Sequence, residues 1–440
     1  MPQPKPYDVI VIGGGITGAG VLRDCALRGL TALLLDKGEP GRATTAASTH
    51  LIHGGLRYLL YDRLTTHTTA WDAGNVVRIA GDMLTRLPIL WPLYRGQKHG
   101  PETVETLLEA YDGFQRMKGG LAHLRLGPEE TARLVPGLKR DGLLGAVSFD
   151  EWWVDAVALV ERNLDSARIA GAKVLARTTV TGLLREDGNR VVGVSAEAAD
   201  GSSLELRGRV VINAAGPWVD RIGRMAGLEI PLRLRKGTHI VYNRPLVPAG
   251  LLLEACDAQR HVFVIPFPGG TLVGPTDTEA STGPDALAAG PEELSYLLDS
   301  VKRFLPDFPV DFAHTTTGAR PILGQSGSEK LLSREYEIYD HGRGSGIEGF
   351  LTVAGGKMSD FRLMAKDAVD LACRKLGHLE ACTTDRFTLG GVAIPVIPDF
   401  RRPWRPLKRF LRGHPRLREL YALFWLGLGF LAHLARRLVG

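Results

Sequence analysis

Two observations predict an α/β protein in which a parallel nucleotide-binding sheet is joined by a second, antiparallel-sheet domain. The first is the stretch Tyr7-Asp8-Val9-Ile10-Val11-Ile12-Gly13-Gly14-Gly15-Ile16-Thr17-Gly18, closed by Leu33-Leu34-Leu35-Asp36. The second is the return of a strand–glycine turn at Val210 to Trp218 and again at Phe350 to Lys357. A Val/Ile run suits a buried parallel strand. Gly13 permits the tight turn, Gly15 lets backbone approach a pyrophosphate, and Gly18 lets the helix pack on the strand. The helix start offers free N–H groups and a positive dipole end to phosphates. Asp36 ends the next strand, where a carboxylate can accept hydrogen bonds from a ribose. Strand, turn, helix, strand and acid fall in order, so the chain is read as binding a dinucleotide.

After this fingerprint, Gly38 to Ser48 is a turn-rich segment leading into Leu51-Ile52-His53-Gly54-Gly55-Leu56-Arg57-Tyr58. Residues 65 to 120 read mostly as helical by apolar spacing at three and four. Val174 to Val211 alternates as strands, with turns at Asp187-Gly188 and Asp200-Gly201. Further strands are expected at His239 to Tyr242, Val262 to Pro266 and Thr271 to Val273. The resulting partition is a Rossmann-like nucleotide domain from residues 1–80, 145–225 and 315–391. Residues 81–144 form a helical insertion, 226–314 a substrate-facing cap domain, and 392–440 a separate tail.

The 440 residues allow two or three domains and an ample core. The four cysteines, Cys25, Cys256, Cys373 and Cys382, are scattered without a C-x-x-C pair. They support no disulfide framework or zinc site, and no metal-ligand cluster is visible. No secretory leader is evident, so the catalytic body is expected in the cytoplasm. The net charge of +6 conceals an asymmetry, because residues 401–440 carry ten Lys/Arg against Glu419 alone. The body is therefore mildly acidic, which counts against nucleic acid as its partner.

Arg401 to Arg418 holds eight of those basic residues, with Trp404 and Phe410 interleaved, and the apolar run Leu420 to Ala435 follows. Sixteen residues fall short of the roughly 20 that span a bilayer. Apolar residues surround this helix, favouring immersion in lipid beside an anionic membrane surface. The competing expectation is a helix docked on the body or on a second copy, which leaves a homodimer open.

The His53 to Tyr58 block, with the fingerprint and Gly355-Gly356-Lys357, resembles the FAD-dependent glycerol-3-phosphate dehydrogenases of the D-amino-acid-oxidase-like superfamily. The resemblance runs from about residue 7 to Gly391. It passes through Ala214-Ala215-Gly216-Pro217-Trp218-Val219, Lys236-Gly237-Thr238-His239-Ile240-Val241, Thr276-Asp277 and Thr317-Gly318-Ala319-Arg320-Pro321. It implies non-covalent FAD, oxidation of sn-glycerol 3-phosphate to dihydroxyacetone phosphate, membrane quinone as acceptor, and attachment to the inner face of the membrane.

The resemblance also assigns roles. Arg57, Tyr58, Arg320 and Lys357 are expected around the substrate, where arginine's planar fork suits phosphate oxygens. His239 or His53 is expected to take the hydroxyl proton, an imidazole being suited to a general base. Arg320 and Lys357 also stabilise charge during catalysis, and Lys357 lies close to the flavin. Gly13, Gly15, Gly18, Asp36, Thr45, Ser48, Gly216, Gly355 and Gly356 are expected at the cofactor. There are departures: His50 stands where relatives carry Lys. Met358-Ser359-Asp360-Phe361-Arg362 replaces a different run, with Asp360 adding negative charge near the phosphate. The rival readings are an FAD enzyme for another small hydroxy or amino acid, and a flavoprotein that binds RNA in tRNA modification.

Overall fold

The computed structural model describes residues 5–60, 62–324, 335–399, 405–412 and 414–439. Arg401 to Trp404, part of the basic run singled out above, lie outside these residues.

Two sheets organise the chain. The first has eight strands, six of them in the order Tyr336–Asp340, Phe350–Gly355, Ser203–Asn213, Tyr7–Ile12, Ala32–Leu35, Lys173–Leu175. All neighbours along this path are parallel except the antiparallel edge strand Tyr336–Asp340. Val9, Ile10, Val11, Leu34 and Ile212 are fully buried, as a sheet covered on both faces requires. One face is covered by the helices Ile16–Leu27, Ala156–Ile169 and Phe361–Leu376, which share a single apolar cluster. The strands ending in the three glycine turns are side by side, so the turns meet at one sheet end, where nucleotide sites gather.

The second sheet has ten strands, mostly antiparallel. One long pairing joins Leu232–Tyr242 to His314–Leu323, placing Arg235 opposite Arg320 and His239 opposite Thr316. Three expectations are corrected here. Leu84–Tyr94 is an eleven-residue strand inside the stretch read as helical, because Pro88 and Pro92 forbid a helix interior. Leu143–Val154 pairs along that strand, so it belongs to the second sheet rather than to the nucleotide sheet. His314–Leu323, also assigned to the nucleotide segments, joins the second sheet through Leu232–Tyr242.

The helix Pro415–Val439 lies along the body on one side, as the competing expectation of a docked helix has it. Arg418 and Ala422 are buried, Leu426 packs on the cluster containing Leu108 and Tyr111, and Gly429 faces Ala110. These residues form one stripe along the helix. Leu420, Leu423, Phe424, Leu428 and Leu431 form an exposed stripe. Among the described residues, no helix is long and apolar enough to cross a membrane.

Candidate active site

The first glycine turn is built by steric necessity. Gly13 has φ +103°, and a Cβ there would lie 2.7 Å from the Ala214 carbonyl oxygen of the neighbouring turn. At Gly18 an added Cβ would stand 1.8 Å from the Gly13 oxygen, so only glycine allows this helix to approach its strand. The early N–H groups of a helix have no intrahelical partner; that of Ile16 donates to Thr45 Oγ1 at 3.2 Å. Asp36 accepts from Gly14 N at 2.5 Å and from Gly38 N at 2.8 Å. Its carboxylate thus braces the turn itself, a role the sequence reading assigned only to ribose binding. Ser48 Oγ accepts from His50 N at 3.2 Å.

Against strand His314–Leu323 lies a cavity of about 280 Å³, lined by Arg42, Thr44, Ala47, Trp218, Pro284 and Thr317 among others. Thr44 Oγ1 donates to the Ala319 carbonyl at 2.9 Å, and a Cβ at Gly318 would meet Ala47 Cβ at 2.8 Å. The segment after Gly41 is thereby pressed onto strand His314–Leu323, and it sets Thr44, Ala46 and Ala47 on the cavity wall. The glycine cradle and the helix start, braced by Asp36 and Thr45, fit the pyrophosphate of a bound dinucleotide.

His239 and Arg320 sit together on the second sheet. His239 is buried, and its Nε2 lies 3.0 Å from Thr49 Oγ1. Burial pushes its pKa down to about 3, with further depression from Arg320 and His50. Its ring is therefore neutral at physiological pH, and Nδ1 has no hydrogen-bond partner among the described residues. Arg320 donates from Nη2 to the Thr276 carbonyl at 3.0 Å, and Nη1 is 3.5 Å from Asp277 Oδ1. Asp277 also binds Arg235 Nε at 2.9 Å and pairs with Arg260. One carboxylate thus gathers three guanidinium groups. Behind them, Glu293 accepts from Thr276 and pairs with Lys236 at 2.7 Å. Burial would raise the Glu293 pKa, but Lys236 and these hydrogen bonds hold it down.

Lys357 and Tyr58 form the second group. The Lys357 ammonium lies 4.7 Å from the centre of the Tyr58 ring and 3.0 Å from Asp360 Oδ2. Burial opposes its charge, yet Asp360, Tyr58 and Glu335 outweigh this and raise its pKa. Asp360 therefore corrects an expectation: its negative charge is paired with Lys357 rather than free to repel a phosphate. His53 is half-buried, 6.5 Å from Tyr58 between ring centres, and its backbone N donates to Ser359 Oγ at 2.9 Å. Gly355 and Gly356, at φ +76° and +91°, bend the chain between the third strand and Lys357.

Arg57 stands on the turn that also carries His53 and Tyr58. It is exposed in the short helix Leu56–Leu60, and its charge helps lower the pKa of His261 to about 4, after burial. Gly216, at φ +56°, opens the turn beside Trp218. His50 is structural: Nδ1 accepts from Ala156 N at 3.1 Å, leaving Nε2–H to donate to the Ala46 carbonyl at 3.2 Å. The single-residue reading of the sequence missed Thr49, Glu293, Arg235 and Arg260. Asp277 stood in a resembling block without a role, and Thr276-Asp277 was its only signal.

A glycine-cradled nucleotide site against a sheet bearing a buried imidazole and clustered cations defines a dinucleotide-dependent enzyme. The family model described as FAD dependent oxidoreductase matches residues 8–359, and the chain belongs to that family. An aerobic glycerol-3-phosphate dehydrogenase of Staphylococcus saprophyticus is 31% identical over 404 residues, covering 88% of this chain and 72% of the relative. One from Staphylococcus haemolyticus is 32% identical over 384 residues, covering 85% and 68%. The glycerol-3-phosphate dehydrogenase of Bacillus halodurans, solved in complex with FAD, superposes with a TM-score of 0.71 at 26% identity. It covers 89% of this chain and 69% of that one. Within the family, this chain stands with the FAD-dependent glycerol-3-phosphate dehydrogenases, and FAD is its cofactor.

Proposed function

We propose that the protein oxidises sn-glycerol 3-phosphate to dihydroxyacetone phosphate. The observation that carries this reading is the buried, neutral His239 beside Arg320, since the reaction needs a proton acceptor next to a phosphate-binding cation. Bound FAD supplies the hydride acceptor. It would be held by Gly13, Gly15, Gly18, Asp36, Thr45, Ser48 and Gly216, with Gly355 and Gly356 on the approach to Lys357.

With Thr49 Oγ1 3.0 Å from His239 Nε2 and accepting its proton, Nδ1 carries the lone pair that takes the hydroxyl proton. A phosphate dianion at Arg320 offsets the charge that depresses His239, so substrate binding strengthens the base it needs. His53, on the turn beside Tyr58, is the competing base. Arg320, Lys357 and Arg57 bind phosphate or neutralise developing charge, and Tyr58 orders Lys357 through its ring.

Membrane quinone is the electron acceptor in this reading, with the body on the cytoplasmic side. The exposed stripe Leu420, Leu423, Phe424, Leu428 and Leu431 dips into the inner face of the membrane. The basic residues of 401–418 meet anionic headgroups.

The test is anaerobic addition of substrate to the yellow holoprotein. Glycerol 3-phosphate should bleach the flavin band; bleaching by a small amino acid and not by glycerol 3-phosphate overturns the substrate.

A further inference from the structure

Strand pairing stops just before the turn that carries His53, Arg57 and Tyr58. Leu51 and Ile52 pair with Trp153 and Trp152, and there the ladder ends. The next two backbone N–H groups go to side chains instead. His53 N donates to Ser359 Oγ at 2.9 Å, and Gly54 N donates to Glu151 Oε2 at 3.2 Å.

Glu151 is an expensive acceptor for this task. It is 3% exposed, and Lys118, which pairs with it, is 1% exposed. Tyr111 Oη donates to its other oxygen at 3.1 Å. Burial pushes the Glu151 carboxyl up and the Lys118 ammonium down, each partly relieved by the other. Replacing such a pair with apolar side chains commonly leaves stability unchanged or improved, so stability alone gives weak reason for it. The turn also fits the platform closely. A Cβ at Gly54 would lie 2.2 Å from Tyr111 Oη and 3.2 Å from Lys118 Cε.

We propose that Glu151, its charge balanced by Lys118, is a positioning residue that sets the His53–Tyr58 turn against Lys357. The carboxylate holds Gly54 N where the strand has ended, and Ser359 holds His53 N from the segment bearing Lys357. The two ties fix Tyr58 beneath the Lys357 ammonium and fix the direction in which Arg57 leaves the turn. The proposal rests on the reading that this turn binds substrate.

Two double variants of the holoenzyme, assayed with sn-glycerol 3-phosphate and an artificial dye acceptor, separate positioning from stability. Lys118→Met with Glu151→Gln removes both charges and keeps an acceptor for Gly54 N. Lys118→Met with Glu151→Leu removes both charges and the acceptor. The Leu variant should raise KM about tenfold with FAD content unchanged, a loss the Gln variant should largely restore. Equal KM values in the two variants overturn the proposal. Should the Leu variant not fold, Glu151→Asp keeps the charge for Lys118 but withdraws the carboxylate from Gly54. A raised KM then supports the positioning role, and a wild-type KM overturns it. Arg57→Ala separates the two levels. A wild-type KM there overturns the substrate reading of the turn. A raised KM beside an unimpaired Leu variant overturns only the role of Glu151.

Discussion

Arg320 lies on Gly237: a Cβ built at position 237 would stand 2.1 Å from Arg320 Nη2. The obstructed group is the far end of a flexible side chain, so Gly237→Ala should fold and hold FAD while displacing the guanidinium. Losing one charged hydrogen bond to substrate costs about 1.5–3 kcal/mol, so KM should rise by roughly one to two orders of magnitude. Arg320→Ala should match it, with flavin retained. Steady-state kinetics with flavin content measured on the same samples checks both.

Lys357 and Asp360 are both nearly inaccessible and answer each other's charge. Lys357→Met alone leaves a buried carboxylate without its partner and should cost about 3–5 kcal/mol of stability. Lys357→Met combined with Asp360→Asn should recover most of the lost Tm but not the lost affinity for substrate. Recovery of both would remove Lys357 from the site.

Gly18→Ala drives a methyl group into the Gly13 carbonyl, which is backbone and cannot step aside. The variant should lose about 1–3 kcal/mol of stability and be purified with little flavin. An FAD-replete Gly18→Ala protein of normal Tm would refute the close strand–helix approach.

His239 makes the fold sensitive to acid. Its folded pKa, about 3, lies below the ordinary value of 6.5. The unfolded chain therefore binds its proton first as pH falls. The stability involved is fully present above pH 6.5 and is lost between 6.5 and 3, and His261, at about 4, adds to the same window. Each proton contributes a slope of up to about 1.4 kcal/mol per pH unit. Urea midpoints of His239→Gln between pH 7.5 and 5 should fall less steeply than those of the parent.

The outer stripe of the C-terminal helix should be separable from its docked stripe. Leu423→Asp with Phe424→Asp should abolish sedimentation with anionic vesicles and leave Tm almost unchanged, since both residues are exposed. Deleting residues 401–440 should abolish sedimentation too, but with a lowered Tm, because Arg418 lies 3.5 Å from the buried carboxylate of Asp62. Unchanged sedimentation after either change would sink the membrane contact.

Legibility followed distance along the chain. The three strand–glycine turns were readable because each is contiguous, so residue spacing alone fixes its shape. Leu84–Tyr94 was misread because Leu84, Leu87, Leu90 and Trp91 fall at spacings of three and four that also suit a helix face. His314–Leu323 was placed with the wrong sheet because strand pairing is non-local, and nothing within residues 314–323 names Leu232–Tyr242 as its partner.

The sequence by itself determined the nucleotide turn at Gly13 to Gly18, the parallel sheet around it and, through its ordered blocks, the candidates Arg57, His239, Arg320 and Lys357. Tertiary structure decided what each candidate touches. It joined His239 to Thr49 and Arg320, gave Asp360 to Lys357, set three arginines around Asp277, and put Glu151 beneath Gly54. The physical reason is that a turn is closed by neighbouring residues. A site is closed by sheet register and by the need of every buried polar group for a partner, and those partners lie up to 306 residues away.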